Sequence, residues 1–330
     1  MGEKVDIGVT YPRFPEDEPS EPVFILDLYK LYGIGKIRLY SPVPDALEAL
    51  RDSNIDVAMG IPNDNLAPIA TSLNFTKSWY SQFVEPYINN VRFTFIIVGN
   101  NAIPGVFGKF VAPAMNNLQT VLDDNNLGNV ISVTTAIGTR VLRNRIPPSA
   151  AVFSPEALNN GLAEVIVFLE NVASHVLMVN VYPYYDYIAD PVNNRLDFVQ
   201  FATKEVVLID NNLNYTNLYD ATLDAYFWAL ERAGGTNVYL SVAETGWPTA
   251  GNGNGTTPGL ASKYNNNLVK HVVKYAGTPK KPGPLGIEAF IFGMFDENVD
   301  PDERRRNFGI FTNALEPAYP LFNSSGNEIF

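Results

Sequence analysis

Short apolar runs recur along the whole chain, and stretches with the period of an amphipathic helix separate them. The strand-like runs cover residues 5–10, 36–40, 55–60, 92–98, 129–134, 175–181, 237–243 and 286–292. Between them, Phe24, Leu28 and Leu31 fall on one helical face, and Tyr264, Leu268, His271, Val272 and Tyr275 on another. Repeated strand–helix alternation predicts a parallel sheet. Eight such units in about 290 residues suit an α/β fold, a closed (β/α)8 TIM barrel, with its active site at the C-terminal ends of the strands. An open doubly wound sheet is the competing architecture, but it usually carries a glycine-rich turn after its first strand. Here that turn reads Thr10-Tyr11-Pro12-Arg13 and has no glycine.

No linker divides residues 1–330, which predicts a single domain. The Gly- and Asn-rich segment 251–259 reads as a surface loop at the barrel rim. It lacks the Gly-Lys-Ser/Thr ending of a phosphate loop. The stretch 183–235 holds one additional strand-like run, 205–209, which predicts an elaborated loop region after strand six.

The formal net charge of -12 (35 acidic against 23 basic side chains) argues against a nucleic-acid partner. The one dense basic run, Arg304-Arg305-Arg306, follows Asp302 and Glu303, so a solvated loop is expected there. With no cysteine, disulfides, zinc-thiolate sites and cysteine nucleophiles are excluded. No run approaches the ~18 apolar residues of a membrane helix. His175 at a strand start and His271 on an apolar helical face read as structural, and neither a metal nor another cofactor is expected. The N-terminus shows no leader pattern, as in a mature chain. Sequons at Asn74, Asn214, Asn254 and Asn323 lend weak support to secretion.

Two strand ends carry candidate chemistry. Val98-Gly99-Asn100-Asn101 leaves strand four, and Ala243-Glu244-Thr245-Gly246-Trp247-Pro248 leaves strand seven. A retaining glycosidase places two carboxyl groups about 5–5.5 Å apart, one as acid/base and one as nucleophile. Glu244 supplies one carboxylate; Asn101 stands where the other is needed. Asn100 is expected to hydrogen-bond a sugar hydroxyl. Tyr182, Tyr184, Tyr185 and Tyr187 form a dense aromatic group, and at least one of Tyr182 and Tyr184 is expected to face the cleft.

Several motifs occur in order: Ile7-Gly8-Val9-Thr10-Tyr11, Lys36-Ile37-Arg38-Leu39-Tyr40, Gly60-Ile61-Pro62-Asn63, Val98-Gly99-Asn100, Asn180-Val181-Tyr182-Pro183-Tyr184, Glu244-Thr245-Gly246-Trp247-Pro248 and Met294-Phe295-Asp296-Glu297-Asn298. Through them the chain resembles plant endo-1,3-beta-glucanases, glycoside hydrolase family 17, over nearly its whole length. The resemblance implies a (β/α)8 barrel with an open cleft for beta-1,3-glucan and Glu244 as nucleophile. It also implies that Glu288 and Glu297 are accessory acids in the cleft, and that Tyr11, Arg38, Tyr40, Asn100, Tyr182, Tyr184 and Trp247 lie near bound sugar. The chain departs from the family at three places. Asn101 replaces the acid/base Glu, Val299-Asp300 stands where a lysine is usual nearby, and Pro12 follows Tyr11 where glycine is common.

An amide cannot protonate a glycosidic oxygen, so hydrolysis is expected to be weak or lost. Two other readings stay open: a non-catalytic glucan-binding or plant-defence protein, and a repurposed enzyme using Glu244 as acid or base on a small molecule in a remodelled cleft. The expected partner is beta-1,3-glucan or another oligosaccharide, or that small molecule, with no nucleic acid and no membrane. A monomer is expected, secreted or vacuolar by resemblance.

Overall fold

The computed structural model describes residues 7–274, 277–283 and 286–321. Eight parallel strands form a closed barrel: β1 (Ile7–Thr10), β2 (Lys36–Leu39), β3 (Asp56–Ile61), β4 (Arg92–Asn100), β5 (Ser132–Gly138), β6 (Val176–Asn180), β7 (Tyr239–Thr245) and β8 (Ala289–Ile291). Each strand pairs with its neighbour in sequence, and Ile7 opposite Ala289 closes the ring. Helices lie outside, and the fold is a (β/α)8 TIM barrel. Among the described residues no helix is long and apolar enough to cross a membrane.

All eight expected strands are present, but β4, β5 and β7 run past their predicted ends. Their last residues include the polar Asn100, Thr135, Glu244 and Thr245. Pairing there continues after the apolar pattern stops: Asn100 and Glu244 turn toward the barrel mouth, whereas Thr135 donates to the Val98 carbonyl and Thr245 meets the Tyr264 hydroxyl on the outer helix Pro258–Lys274. The run at 205–209 contributes to a small antiparallel hairpin, Leu208–Asp210 with Leu213–Tyr215.

One helical face differs from expectation. In Pro22–Leu31 the buried residues are Ile25, Leu26, Leu28 and Tyr29, whereas Phe24 and Leu31 are exposed. The stripe is rotated by one position, which puts Tyr29 against β1 with its hydroxyl 3.3 Å from the Val9 carbonyl. Tyr264, Leu268 and Val272 are buried on Pro258–Lys274 as expected; Tyr275 lies outside the described residues.

The barrel interior is filled in layers. Ala58, Ile97, Ala136, Met178, Ala243 and Phe290 form an apolar cluster there. At the N-terminal end, Lys36 Nζ meets Glu288 Oε1 at 2.5 Å, and Ser241 Oγ lies 3.3 Å from Glu288 Oε2. Glu288 was expected in the cleft. It immediately precedes β8 and pairs with the first residue of β2, so it belongs to the opposite end of the barrel.

Toward the C-terminal end the ladder slips twice, between Ile97 and Asn100 on β4 and between Val242 and Glu244 on β7. Such irregularities re-aim side chains at barrel rims. Gly99 makes the first possible: its φ is +77°, and an added Cβ would lie 2.9 Å from Leu66 Cδ1 and 3.0 Å from Asn63 Oδ1. Asn63 locks the turn by accepting from the Asn100 N–H (2.9 Å) and donating to its carbonyl (3.0 Å). A Gly99→Ala variant is expected to lose about 1–3 kcal/mol of stability, from the left-handed backbone and the clash together. Urea melts of the two proteins check this; equal midpoints would refute it.

Candidate active site

Six strand ends contribute to one cluster at the C-terminal mouth. Glu244, on β7, is fully buried, yet its carboxylate has five donors. Oε1 accepts from Arg38 Nη1 (3.0 Å), Tyr40 OH (2.9 Å) and Asn100 Nδ2 (3.0 Å). Oε2 accepts from Tyr182 OH and Arg305 Nη2, both at 2.8 Å. An ionised carboxylate offers about four lone-pair sites, so Glu244 is saturated.

Burial by itself pushes the Glu244 carboxyl up, but Arg305, Arg38 and Arg13 outweigh it and hold the group well below the usual carboxylate range. The reciprocal effect appears on the phenols. Burial, then the Glu244 charge, raises Tyr40 and Tyr182 above the ordinary tyrosine range, so both remain protonated donors.

Arg38 comes from the barrel interior and is 1% exposed. Besides Glu244 it donates to the Ala243 carbonyl (2.8 Å) and to Asn100 Oδ1 (3.1 Å). Asn180 Nδ2, at the end of β6, donates to both Asn100 Oδ1 (2.9 Å) and Asn101 Oδ1 (3.1 Å). A relay of amides therefore joins Asn101 to Glu244 across the strand ends: Asn101 to Asn180, Asn180 to Asn100, Asn100 to the carboxylate. Asn101 has φ +51° and donates its N–H to the Ala136 carbonyl, which fixes its place on the rim.

A second ionic group lies beside the first. Arg13, in the loop after β1, binds Glu297 through Nε (2.6 Å) and meets the Asp300 carboxylate with Nη2. Asp300 also faces Arg305 Nε at 3.5 Å. Burial pushes the Glu297 carboxyl up, and Arg13 offsets part of that rise. Three guanidiniums (Arg13, Arg38, Arg305) thus balance three carboxylates (Glu244, Glu297, Asp300).

Of the residues singled out in the sequence, Glu244, Asn100, Asn101, Glu297, Arg38, Tyr40 and Tyr182 lie together at this mouth. The aromatic residues differ in what they present. Tyr11 and Trp247 are fully covered and Tyr184 nearly so. Trp247 packs on Tyr184 (ring centroids 5.2 Å apart) and Tyr264 (5.6 Å), with its indole N–H on the Gly255 carbonyl. These rings form a packed wall and leave no free stacking face, whereas Tyr182 reaches the site through its hydroxyl. Asn100, expected to contact a sugar hydroxyl, has its amide committed to Arg38, Asn180 and Glu244.

Sequence reasoning missed Arg13, Asn180 and Arg305. The run 304–306 was expected in solvent; Arg304 is 70% exposed, but the Arg305 side chain is only 15% exposed and stacks 4.3 Å from the Phe292 ring centroid. Three consecutive cations after Asp302-Glu303, downstream of an acidic motif, were the available signal. Both histidines lie elsewhere: His175 faces the Leu169 carbonyl and His271 faces Asp220, each at 2.8 Å.

A model of glycosyl hydrolases family 17 matches residues 7–322. A probable glucan endo-1,3-beta-glucosidase of Arabidopsis thaliana is 41% identical over 318 residues, covering 96% of this chain and 90% of that protein. A basic vacuolar isoform of glucan endo-1,3-beta-glucosidase from Nicotiana tabacum is 37% identical over 325 residues, covering 97% of this chain and 86% of its own. Among solved structures, a beta-1,3-glucanase and allergen of Cryptomeria japonica pollen superposes with a TM-score of 0.90 at 36% identity, covering 96% of this chain and 99% of that one.

The depressed carboxyl predicts a pH signature. A group held below its ordinary value stabilises the fold above its unfolded pKa, about 4.3 for Glu, and that stabilisation is lost as pH falls toward the lower folded value. Glu244→Gln, which leaves buried guanidiniums uncompensated, is expected to cost about 3–5 kcal/mol at pH 7. The gap to the unsubstituted protein narrows below pH ~4. Denaturant melts at pH 7 and pH 3 measure it, and a gap that is constant or wider at pH 3 contradicts the assignment.

Proposed function

Because the chain belongs to glycosyl hydrolase family 17, we propose that it is a barrel that recognises beta-1,3-glucan but hydrolyses it weakly or not at all. The observation that carries this reading is the amide at residue 101, joined to Glu244 by the Asn180–Asn100 relay. By resemblance, Asn101 occupies the family's acid/base position. Its amide has no proton of useful acidity to give a departing sugar oxygen, and general acid catalysis typically contributes about 10²–10⁴-fold.

The electrostatics weigh against the reading in which Glu244 serves as an acid on another ligand. A general acid needs a raised pKa, whereas guanidiniums keep this carboxylate ionised. Glucan-binding, defence-type action outside the cytoplasm, as a secreted or vacuolar monomer, is the role that fits best. Exposed sequons at Asn74, Asn214 and Asn254 support that compartment, as does the vacuolar tobacco relative; Asn323 lies outside the described residues.

Laminarin hydrolysis by reducing-end assay, and laminari-oligosaccharide binding by calorimetry, test the proposal together. Binding is expected, with turnover at least 10²-fold below the ~1–10³ s⁻¹ of ordinary enzymes. Turnover within that ordinary range would refute the loss of hydrolysis, and no heat of binding would refute the glucan.

A further inference from the structure

The two oxygens of Glu244 are held differently. Oε1 is fixed from the barrel side by Arg38, Tyr40 and Asn100. Oε2 is held by Tyr182 and by Arg305, which arrives from the loop after β8 and not from a strand. That loop is well anchored. The Arg305 N–H donates to the Asp302 carbonyl (2.8 Å), Arg306 Nε to the Asp300 carbonyl (2.8 Å), and the Glu297 N–H to the Arg306 carbonyl (3.0 Å). Asp300 faces the guanidinium at 3.5 Å, and Phe292 lies under its plane at 4.3 Å. A nucleophilic carboxylate must present a free lone pair about 3–3.5 Å from the anomeric carbon. Arg305 Nη2, at 2.8 Å, is a competitor for that lone pair.

We propose that Arg305 is a built-in cap on Glu244, so that the chain is blocked at its nucleophile as well as at its proton donor. The inference rests on the reading of Glu244 as the ancestral nucleophile, and it makes Arg305 a positioning residue. Asp300 is the counter-charge that holds the cap in place, which gives a joint physical role to two residues from opposite ends of the chain, Arg13 and Asp300, with Arg305 beside them. Asn101→Glu by itself then leaves the protein inactive, because the restored acid meets a nucleophile whose attacking oxygen is occupied.

The test removes any need for a proton donor. In a 2,4-dinitrophenyl 2-deoxy-2-fluoro-β-laminaribioside, the Glu244 oxygen forms a bond to the anomeric carbon. The carbon–oxygen bond to dinitrophenolate breaks, and the phenolate leaves with the electron pair without protonation. The product is a glycosyl ester on Glu244, read by intact and peptide mass spectrometry. The unsubstituted protein is expected to label at least 10²-fold more slowly than Arg305→Gln, and Arg305→Lys, which keeps a cation beside Glu244, is expected to stay within tenfold of the unsubstituted protein.

In laminarin hydrolysis, Asn101→Glu is expected to be silent and the Asn101→Glu/Arg305→Gln double variant active. Equal labelling of the unsubstituted protein and Arg305→Gln overturns the cap, as does recovery of hydrolysis by Asn101→Glu without the second change. Should Arg305→Gln not fold, as judged by its melt, Asp300→Asn loosens the cap from behind; labelling no faster than the unsubstituted protein then overturns it. A ligand-free readout separates this inference from the glucan proposal. The Glu244 side-chain carbon, followed by NMR, is expected to titrate at higher pH in Arg305→Gln, and an unmoved titration overturns the cap even if no glucan binds.

Discussion

One buried charge organises the mouth of this barrel. Glu244 is removed from water completely, and an ionised carboxylate in that state is tolerated only when its oxygens are fully hydrogen-bonded and its charge is matched. The residues that meet this requirement come from β2 and the residue just past it, β4, the segment after β6 and the loop after β8. Their convergence explains local features that otherwise look unrelated. The ladder slips at Gly99 and Glu244, Arg38 is buried inside the barrel, and the loop that bears Arg305 is folded back over the strand ends.

The cluster is balanced and does not simply accumulate attraction. Three guanidiniums and three carboxylates share a small, mostly dry volume, and their desolvation offsets much of the Coulomb gain. Net stabilisation from such a network is therefore modest, while removal of one member is costly because its partners stay buried. Geometry is what the network secures. Each guanidinium has an aromatic face nearby: Arg38 lies 4.5 Å from the Tyr40 centroid, Arg13 5.4 Å from the Tyr40 and Phe292 centroids, and Arg305 4.3 Å from Phe292. Planar cations on ring faces keep their in-plane N–H groups free to aim at carboxylates.

The barrel was legible in the sequence because its strands are buried on both faces and read as near-continuous apolar runs. The site was legible where it coincides with a strand end, as at Asn100 and Glu244. It was not legible where position depends on a loop. Glu288 reads as one more acid close to an acidic motif, yet the layer of inward-facing residues to which it belongs is set by strand register, and that places it beside Lys36 at the opposite end. Arg305 reads as one of three solvated cations. Only the path of the loop distinguishes it from Arg304, whose partner Asp302 keeps it at the surface. Tyr11, Tyr184 and Trp247 illustrate a similar limit: tyrosine and tryptophan suit a sugar platform and a packed wall equally, and Phe308 with Tyr264 fills the space that an open platform would need.

Asn101 and Arg305 belong to one hydrogen-bonded unit around Glu244. A retaining pair works with one carboxyl protonated and the other ionised, and the alternation of charge during its two steps requires that neither be neutralised permanently. Under the proposal that Asn101 stands at the acid/base position, no proton is exchanged there, and that requirement disappears. A fixed guanidinium beside Glu244 then stabilises a buried charge whose Oε2 is otherwise met by the Tyr182 hydroxyl. The same reasoning accounts for Asp300: a cation brought to this mouth needs an anion behind it, and a lysine there would repel Arg13 and Arg305 alike. On that proposal, the amide at residue 101 and the Arg305–Asp300 pair are mutually consistent parts of one electrostatic unit.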